Sequence, residues 1–329
     1  MRTLIAALVA AMFIAAPAFA KETLEGVEVH PILGPIGVND HRLPYHLDSL
    51  ISLVLILYAI GVTYLMNHPQ PGRRVIGIWG AALGCFGIAG TALVLQIVGA
   101  FSEVRPPIIP PDAIKPIVIR LVGLAFAAAG VVLAMVAIGQ GKRGDSLSLG
   151  TRNEPKRYGR ISRYYHWIIA ILFIMLIPMG IFTSMIPNEY EYRQAYYVVH
   201  KTLGFTVLIL AIARVAWLIM NPAPKLDPSL SAWEKFLAHG AHYTLYFFLF
   251  AFPISGYMLS TFAGKLSHFF FWDTPLLWRH DMEGLRLPSL IHKVVLPYLF
   301  YLVFIGHIVG ALKHRFWDKH QDAFRRMVT

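Results

Sequence analysis

Seven apolar runs dominate this chain, at 47–66, 75–100, 117–138, 164–186, 196–220, 236–262 and 289–316. Each is long enough to cross the hydrocarbon core of a bilayer, which takes about 20 helical residues. Backbone N–H and C=O groups find no water there, so runs of this length fold as helices that satisfy their own hydrogen bonds. The expected fold class is an all-α integral membrane protein. Composition agrees, with 57% of the 329 residues hydrophobic and only 14% charged, outside the balance of a soluble domain. A formal net charge of +11 would suit a nucleic-acid binder. Here, however, Lys and Arg lie in the short segments between apolar runs, where they set orientation in the membrane. The membrane is the expected partner, and nucleic acid is not.

Charge also orders the chain. Lys142, Arg143, Arg152, Lys156, Arg157, Arg160 and Arg163 crowd the segment before the fourth run, and Lys313, Arg315, Lys319, Arg325 and Arg326 crowd the tail. Positively charged loops stay in the cytoplasm. Arg73 and Arg74, two runs earlier, then face the same side, so the mature N-terminus is periplasmic and the C-terminus cytoplasmic. Residues 1–20 carry Arg2, a short apolar core and Ala18-Phe19-Ala20 ahead of Lys21-Glu22, the form of a secretory signal peptide; a retained anchor is the alternative. The expected division is a signal peptide at 1–20, a three-span N-terminal membrane module at 21–141, a basic cytoplasmic linker at 142–163 and a four-span domain at 164–329.

Features of the N-terminal half read as architecture. Pro31, Pro35 and Pro44 argue against a helix ahead of the first run, and His30, His41 and His46 are read as loop residues. The proline-rich 104–116 is a stiff connector. The second run carries Gly77, Gly80, Gly84, Gly87 and Gly90, with Gly80 and Gly84 at the GxxxG spacing that lets helices approach closely. Cys85 is the single cysteine, so no intrachain disulfide and no CxxCH attachment of haem exists.

Chemistry lies in the histidines of the other half. The last run carries His292 and His307, fifteen positions apart. On an α-helix they sit about 22 Å apart along the axis and about 60° apart around it. Imidazoles inside a bilayer are costly and mark a function, and these two are too distant to share one small ion. His166 stands near the cytoplasmic start of the fourth run and His200 near the periplasmic start of the fifth. The last run enters from the periplasm, which puts His292 level with His200 and His307 level with His166. Zinc takes three or four protein ligands, more than either level holds. Haem iron needs only two axial ligands, so two facing imidazoles at each level suit two non-covalent, bis-histidine b-type haems. The plainer reading, polar residues at helix ends, explains any one histidine but not four at matched depths.

Neighbouring residues fit this arrangement. Arg214, fourteen positions after His200, returns to nearly the same face about 21 Å lower, at the depth of the cytoplasmic haem; it pairs with a propionate or serves as a positive-inside anchor. Gly180 stands in the same relation to His166, and Gly204, Gly256, Gly306 and Gly310 would let a flat macrocycle approach the helix backbones. Trp167, Trp217, Trp233, Trp272, Trp278 and Trp317 fall mainly at run ends, as in an aromatic belt.

Six pieces in sequence order then carry a resemblance. They are Arg163-Tyr164-Tyr165-His166-Trp167, His200-Lys201-Thr202-Leu203-Gly204, Ala238-His239-Gly240-Ala241-His242, Pro253-Ile254-Ser255-Gly256-Tyr257, Gly306-His307 and Ala311-Leu312-Lys313-His314-Arg315-Phe316. From about Tyr158 to the C-terminus the chain resembles the prokaryotic cytochrome b561 family. That resemblance implies a four-helix bundle holding two b haems that exchanges electrons with quinone in a bacterial inner membrane. Some family members resemble superoxide:quinone oxidoreductases. By position, His166 with His307 would hold the cytoplasmic haem, and His200 with His292 the periplasmic one. The resemblance also raises His314 as a quinone-site proton donor, beside the reading of Lys313 and His314 as membrane anchors. His239 and His242 share one helix face and are read either as interfacial residues or as propionate or quinone contacts. Two positions depart from the family: Lys293 stands where an acidic residue is common, and Pro297 follows, a kink that would change the rotation between His292 and His307. The three-span module lies outside the resemblance.

The expected function is a dihaem membrane cytochrome carrying electrons between a periplasmic donor and membrane quinone. A different class stands beside it, the haem-bearing, quinone-reducing membrane anchor of a multi-subunit dehydrogenase. A cofactor-free transporter is disfavoured by the lack of acidic residues inside the apolar runs. Lys201 and Lys293 directly follow the two upper histidines and would draw a small anionic reductant such as superoxide, unless both only anchor to lipid headgroups.

Overall fold

The computed structural model describes residues 28–30, 34–36, 47–98, 114–140, 150–185, 192–228, 230–278, 280–281, 283–316 and 326–327. The signal-peptide segment, His41, His46, Trp317 and the side chains of His30 and His314 lie outside the described residues. Two short strands, β1 (Glu28–His30) and β2 (Gly34–Ile36), pair antiparallel. They are followed by helices α1 (Leu47–Met66), α2 (Pro71–Val98), α3 (Ile114–Gln140), α4 (Arg160–Met185), α5 (Tyr192–Met220) and α6 (Ala232–Phe262). Strands β3 (Ser267–Phe269) and β4 (Trp272–Thr274) form a second hairpin. The last segment runs as α7 (Arg286–Leu290), a π-helical turn (Ile291–Val295) and α8 (Leu296–Phe316). Among the described residues, seven helical segments are long and apolar enough to cross a membrane.

Several helices begin before their apolar runs, because polar residues satisfy the first turn. Ser231 and Glu234 form a reciprocal capping box that starts α6, closing two of the N–H groups a helix start leaves open. Pro71 opens α2, a first-turn position where its missing N–H costs nothing. Arg74 Nη1 donates to the His68 and Pro69 carbonyls, so this arginine also closes the α1–α2 turn. Arg163, grouped by sequence with the linker, belongs to the first turn of α4 and is fully buried.

Contacts divide the chain into two compact units: Met1–Asp40 with Gly150–Tyr165 and Lys201–Thr329, and His41–Leu149 with His166–His200. In the second unit, a β-carbon at Gly77 would collide with Met66 N and one at Gly84 with Tyr58 Oη, and one at Gly80 would come within 3.0 Å of Val62 Cγ2. The glycines of α2 therefore let α1 lie against its backbone, and Tyr58 donates to the Gly80 carbonyl at 2.7 Å. Ala92, Ile119 and Phe182 bury together with Ile88, Val122, Ile181 and Tyr196 around them. The N-terminal helices thus share a core with residues of α4 and α5.

In the first unit, Ala211, Val215 and Leu218 of α5 pack with Phe250 of α6. Asn153 fastens the 150–159 loop to the end of α5, donating through Nδ2 to the Asn221 and Pro222 carbonyls, while its Oδ1 accepts from Gly159 N. The β3–β4 hairpin is tied to α5 at two points: Lys201 Nζ donates to Leu266 O at 2.9 Å, and Thr202 Oγ1 donates to His268 O at 3.2 Å. Within it, buried His268 pairs through Nδ1 with the Asp273 carboxylate.

Candidate functional site

His292 sits in the π-turn, and its surroundings follow from Pro297. In an α-helix, residue 297 would donate to the carbonyl of Lys293; proline has no N–H, and its ring collides with that carbonyl. The chain widens the preceding turn instead, so that Leu296 N donates to Ile291 O, five residues back. Each residue of such a turn advances less than the about 100° of an α-helix. The expected 60° offset between His292 and His307 is reduced accordingly. Pi-turns of this kind recur at functional positions.

Three groups grip the His292 ring. Ser255 Oγ lies 3.0 Å from Nδ1, and the Phe252 ring stands edge-on at 5.9 Å between centroids. Gly256 opens the third side: a β-carbon there would fall 2.8 Å from Cε1 and 3.3 Å from both ring nitrogens. This glycine makes room for an imidazole, where the sequence suggests room for a macrocycle.

Fifteen residues later, His307 on α8 meets His242 of α6, edge to face at 5.6 Å. Between the two levels Phe248, Phe252, Phe300 and Phe304 pack against one another, mostly edge to face with Phe300 and Phe304 stacked, and Phe248 and Phe300 are almost wholly buried. They form a run of aromatic contacts between the two imidazoles. Near His242, Arg214 Nε donates to Tyr246 Oη at 3.0 Å, and the guanidinium carbon stands 5.1 Å from that ring's centre. The two Nη groups point to an anionic partner as a natural complement. Burial, with a smaller push from Tyr246, raises the Tyr158 phenol above its ordinary range, against the opposing pull of Arg214 and Arg326. The phenol therefore stays a neutral donor.

The remaining candidates separate. His239 is exposed and lies 6.2 Å from the Tyr243 ring, away from His307's partner position. Lys313 pairs with Glu234 at 2.6 Å, so this cation links α8 to the start of α6. His314 belongs to the last turn of α8. Lys293 is exposed beside His292.

In the other unit, His200 on α5 also sits against a glycine of the preceding span. A β-carbon at Gly180 of α4 would lie 3.2 Å from its Cε1. His166 on α4 stands edge to face with Trp167 at 5.1 Å. A β-carbon at Gly204, Gly306 or Gly310 would meet nothing within 4 Å among the described residues. Two residues of the site escape a reading of the sequence. Ser255 lies within one of the family-like pieces, and Tyr246 follows His242 at helical i+4 spacing.

Comparison with known proteins locates the same half of the chain. The family model for prokaryotic cytochrome b561 matches residues 157–329. Cytochrome b561 homolog 2 of Escherichia coli strain K12 is 32% identical over 177 residues, covering 54% of this chain and 93% of that protein. The probable superoxide oxidase CybB of Yersinia pestis is 23% identical over 172 residues, covering 52% of this chain and 96% of that protein. Residues 1–156 lie outside the family match.

Proposed function

Because this chain belongs to the prokaryotic cytochrome b561 family, we propose that it holds two b haems and carries electrons from a periplasmic donor to membrane quinone. Family membership and the seven apolar helices make it a multi-pass bacterial membrane protein and a b-type cytochrome of electron transfer. The dihaem count, the ligand pairs and both redox partners are our reading. The observation that carries it is the repeated seat of His200 on Gly180 and His292 on Gly256.

These residues fit the cofactor. Each upper imidazole is held on one side by a glycine of the preceding span, and a β-carbon at Gly204, four residues after His200, or at Gly306 and Gly310, beside His307 in sequence, would meet nothing within 4 Å among the described residues. His200 with His292 would hold the periplasmic haem, and His166 with His307 the cytoplasmic one. When bound, haem supplies reversible one-electron chemistry at iron. The chain would supply the rest: Phe248, Phe252, Phe300 and Phe304 fill the space between levels with apolar rings, and Arg214 would offer its Nη groups to an anionic propionate. His242, against His307, joins His239, Lys313 and His314 as candidates for contacting quinone and passing it protons.

For the donor, superoxide is favoured. Lys201 and Lys293 carry positive charge next to both upper ligands, and one relative is named a probable superoxide oxidase. Lys201 commits one N–H to the Leu266 carbonyl but keeps its full charge. Changing both lysines to glutamine is expected to slow reduction by superoxide about 10-fold at low salt and to flatten its salt dependence. Stopped-flow measurement across a salt series checks this, alongside haem stoichiometry and quinol production. Fewer than two haems per chain, or slow reduction indifferent to salt, would refute the corresponding part.

A second expected outcome concerns the π-turn. Pro297→Ala restores the missing donor to Lys293 O, so the turn should tighten to α-helix and rotate His292 off Ser255. Haem should be held about 10-fold more weakly at that level, with the other level unchanged in the visible spectrum.

A further inference from the structure

Ser255 touches the His292 ring through a hydroxyl that carries one proton only. Its Oγ lies 2.6 Å from Ala251 O and 3.1 Å from Phe252 O. Carbonyl oxygens can only accept, and the Ala251 carbonyl is the nearest of the acceptors around this hydroxyl, so we place the proton on the helix backbone, in the i−4 back-bond common for serine within a helix. Toward His292 Nδ1, at 3.0 Å, the oxygen is therefore left as an acceptor. A hydrogen bond at that distance then requires the proton to sit on Nδ1. A neutral imidazole protonated at Nδ1 keeps its lone pair on Nε2.

We propose that Ser255 is the positioning residue of the upper site, fixing His292 as the Nδ1–H tautomer with Nε2 available to iron. The proposal rests on the reading of His292 as an axial ligand. Ser255 and Gly256 act together: the hydroxyl sets which nitrogen carries the proton, and the missing β-carbon beside it lets the ring seat. The π-turn brings the imidazole to both. An outer hydrogen bond to Nδ1–H also makes the ligand more basic, which favours the oxidised iron and lowers the potential of the haem it binds.

The test compares Ser255→Ala and Ser255→Thr with His292→Ala in the full-length protein, by haem content, potentiometric titration and electron paramagnetic resonance. His292→Ala should remove one haem component. Ser255→Ala should keep that component, shift its midpoint potential upward, alter its g-values and weaken haem retention about 10-fold. Ser255→Thr, which keeps the hydroxyl, should restore wild-type values. An unmoved potential and unchanged g-values in Ser255→Ala overturn the proposal while leaving His292 as a ligand. Equal shifts in the alanine and threonine variants overturn it too, since the hydroxyl would not be the cause. If His292→Ala loses no haem, the ligand reading fails and the proposal falls with it.

Discussion

Replacing His200 or His292 with alanine is expected to delete one and the same haem component, and replacing His166 or His307 to delete the other. The expectation follows from direction in the membrane. If the last span enters from the periplasm, as proposed, it reaches His292 first and His307 about 22 Å deeper, while His166 and His200 lie near the starts of the consecutive spans α4 and α5, which would cross the membrane in opposite senses. Loss of an axial imidazole leaves a b haem with one protein bond and no covalent link, so the effect on that component should be near complete. Redox titration of the four single variants, with haem content measured on each, reads the pairing directly. If His200→Ala and His307→Ala removed the same component, the assignment by depth would be wrong.

Next in size is the response of the two glycine seats. A methyl group at Gly256 would stand 2.8 Å from His292 Cε1, a contact that side chains do not tolerate, so the ring must move. Metal–ligand distances hold within about 0.2 Å, and displacement by more than that should weaken haem binding by about 10- to 100-fold. At Gly180 the corresponding distance to His200 is 3.2 Å, tight but open to small adjustment, so Gly180→Ala should cost less and Gly180→Leu as much as Gly256→Ala. All three should act on the component that His200→Ala and His292→Ala remove. Gly61→Ala and Gly139→Ala, where a β-carbon meets nothing within 4 Å, serve as controls and should keep full haem content. A loss that appeared instead in the component dependent on His166 and His307 would show that these glycines do not serve the upper pair.

How far the sequence could be read follows from what kind of physics each feature obeys. Transfer of a helix into lipid sums over its own residues, so hydropathy alone located seven spans, and the first run matches α1 (Leu47–Met66) at both ends. The proposed levels of the four histidines rest in the same way on their positions along helices and on where arginine and lysine cluster. Rotation about a helix axis does not. It hinges on how the chain relieves the collision between Pro297 and the Lys293 carbonyl, and the π-turn is one of several ways open to a backbone. The partners of a group within reach of several neighbours are also beyond sequence. Gly256 could have faced a cofactor and faces an imidazole. Lys201 could have reached headgroups and binds the carbonyl of a hairpin whose aromatic residues sequence alone did not mark as strands. Arg163 looked like one more cation in a basic loop and is buried in a helix. Burial along one chain segment is a local sum, whereas contacts are decided by which distant segments compete for the same few ångströms, and only the folded chain settles that competition.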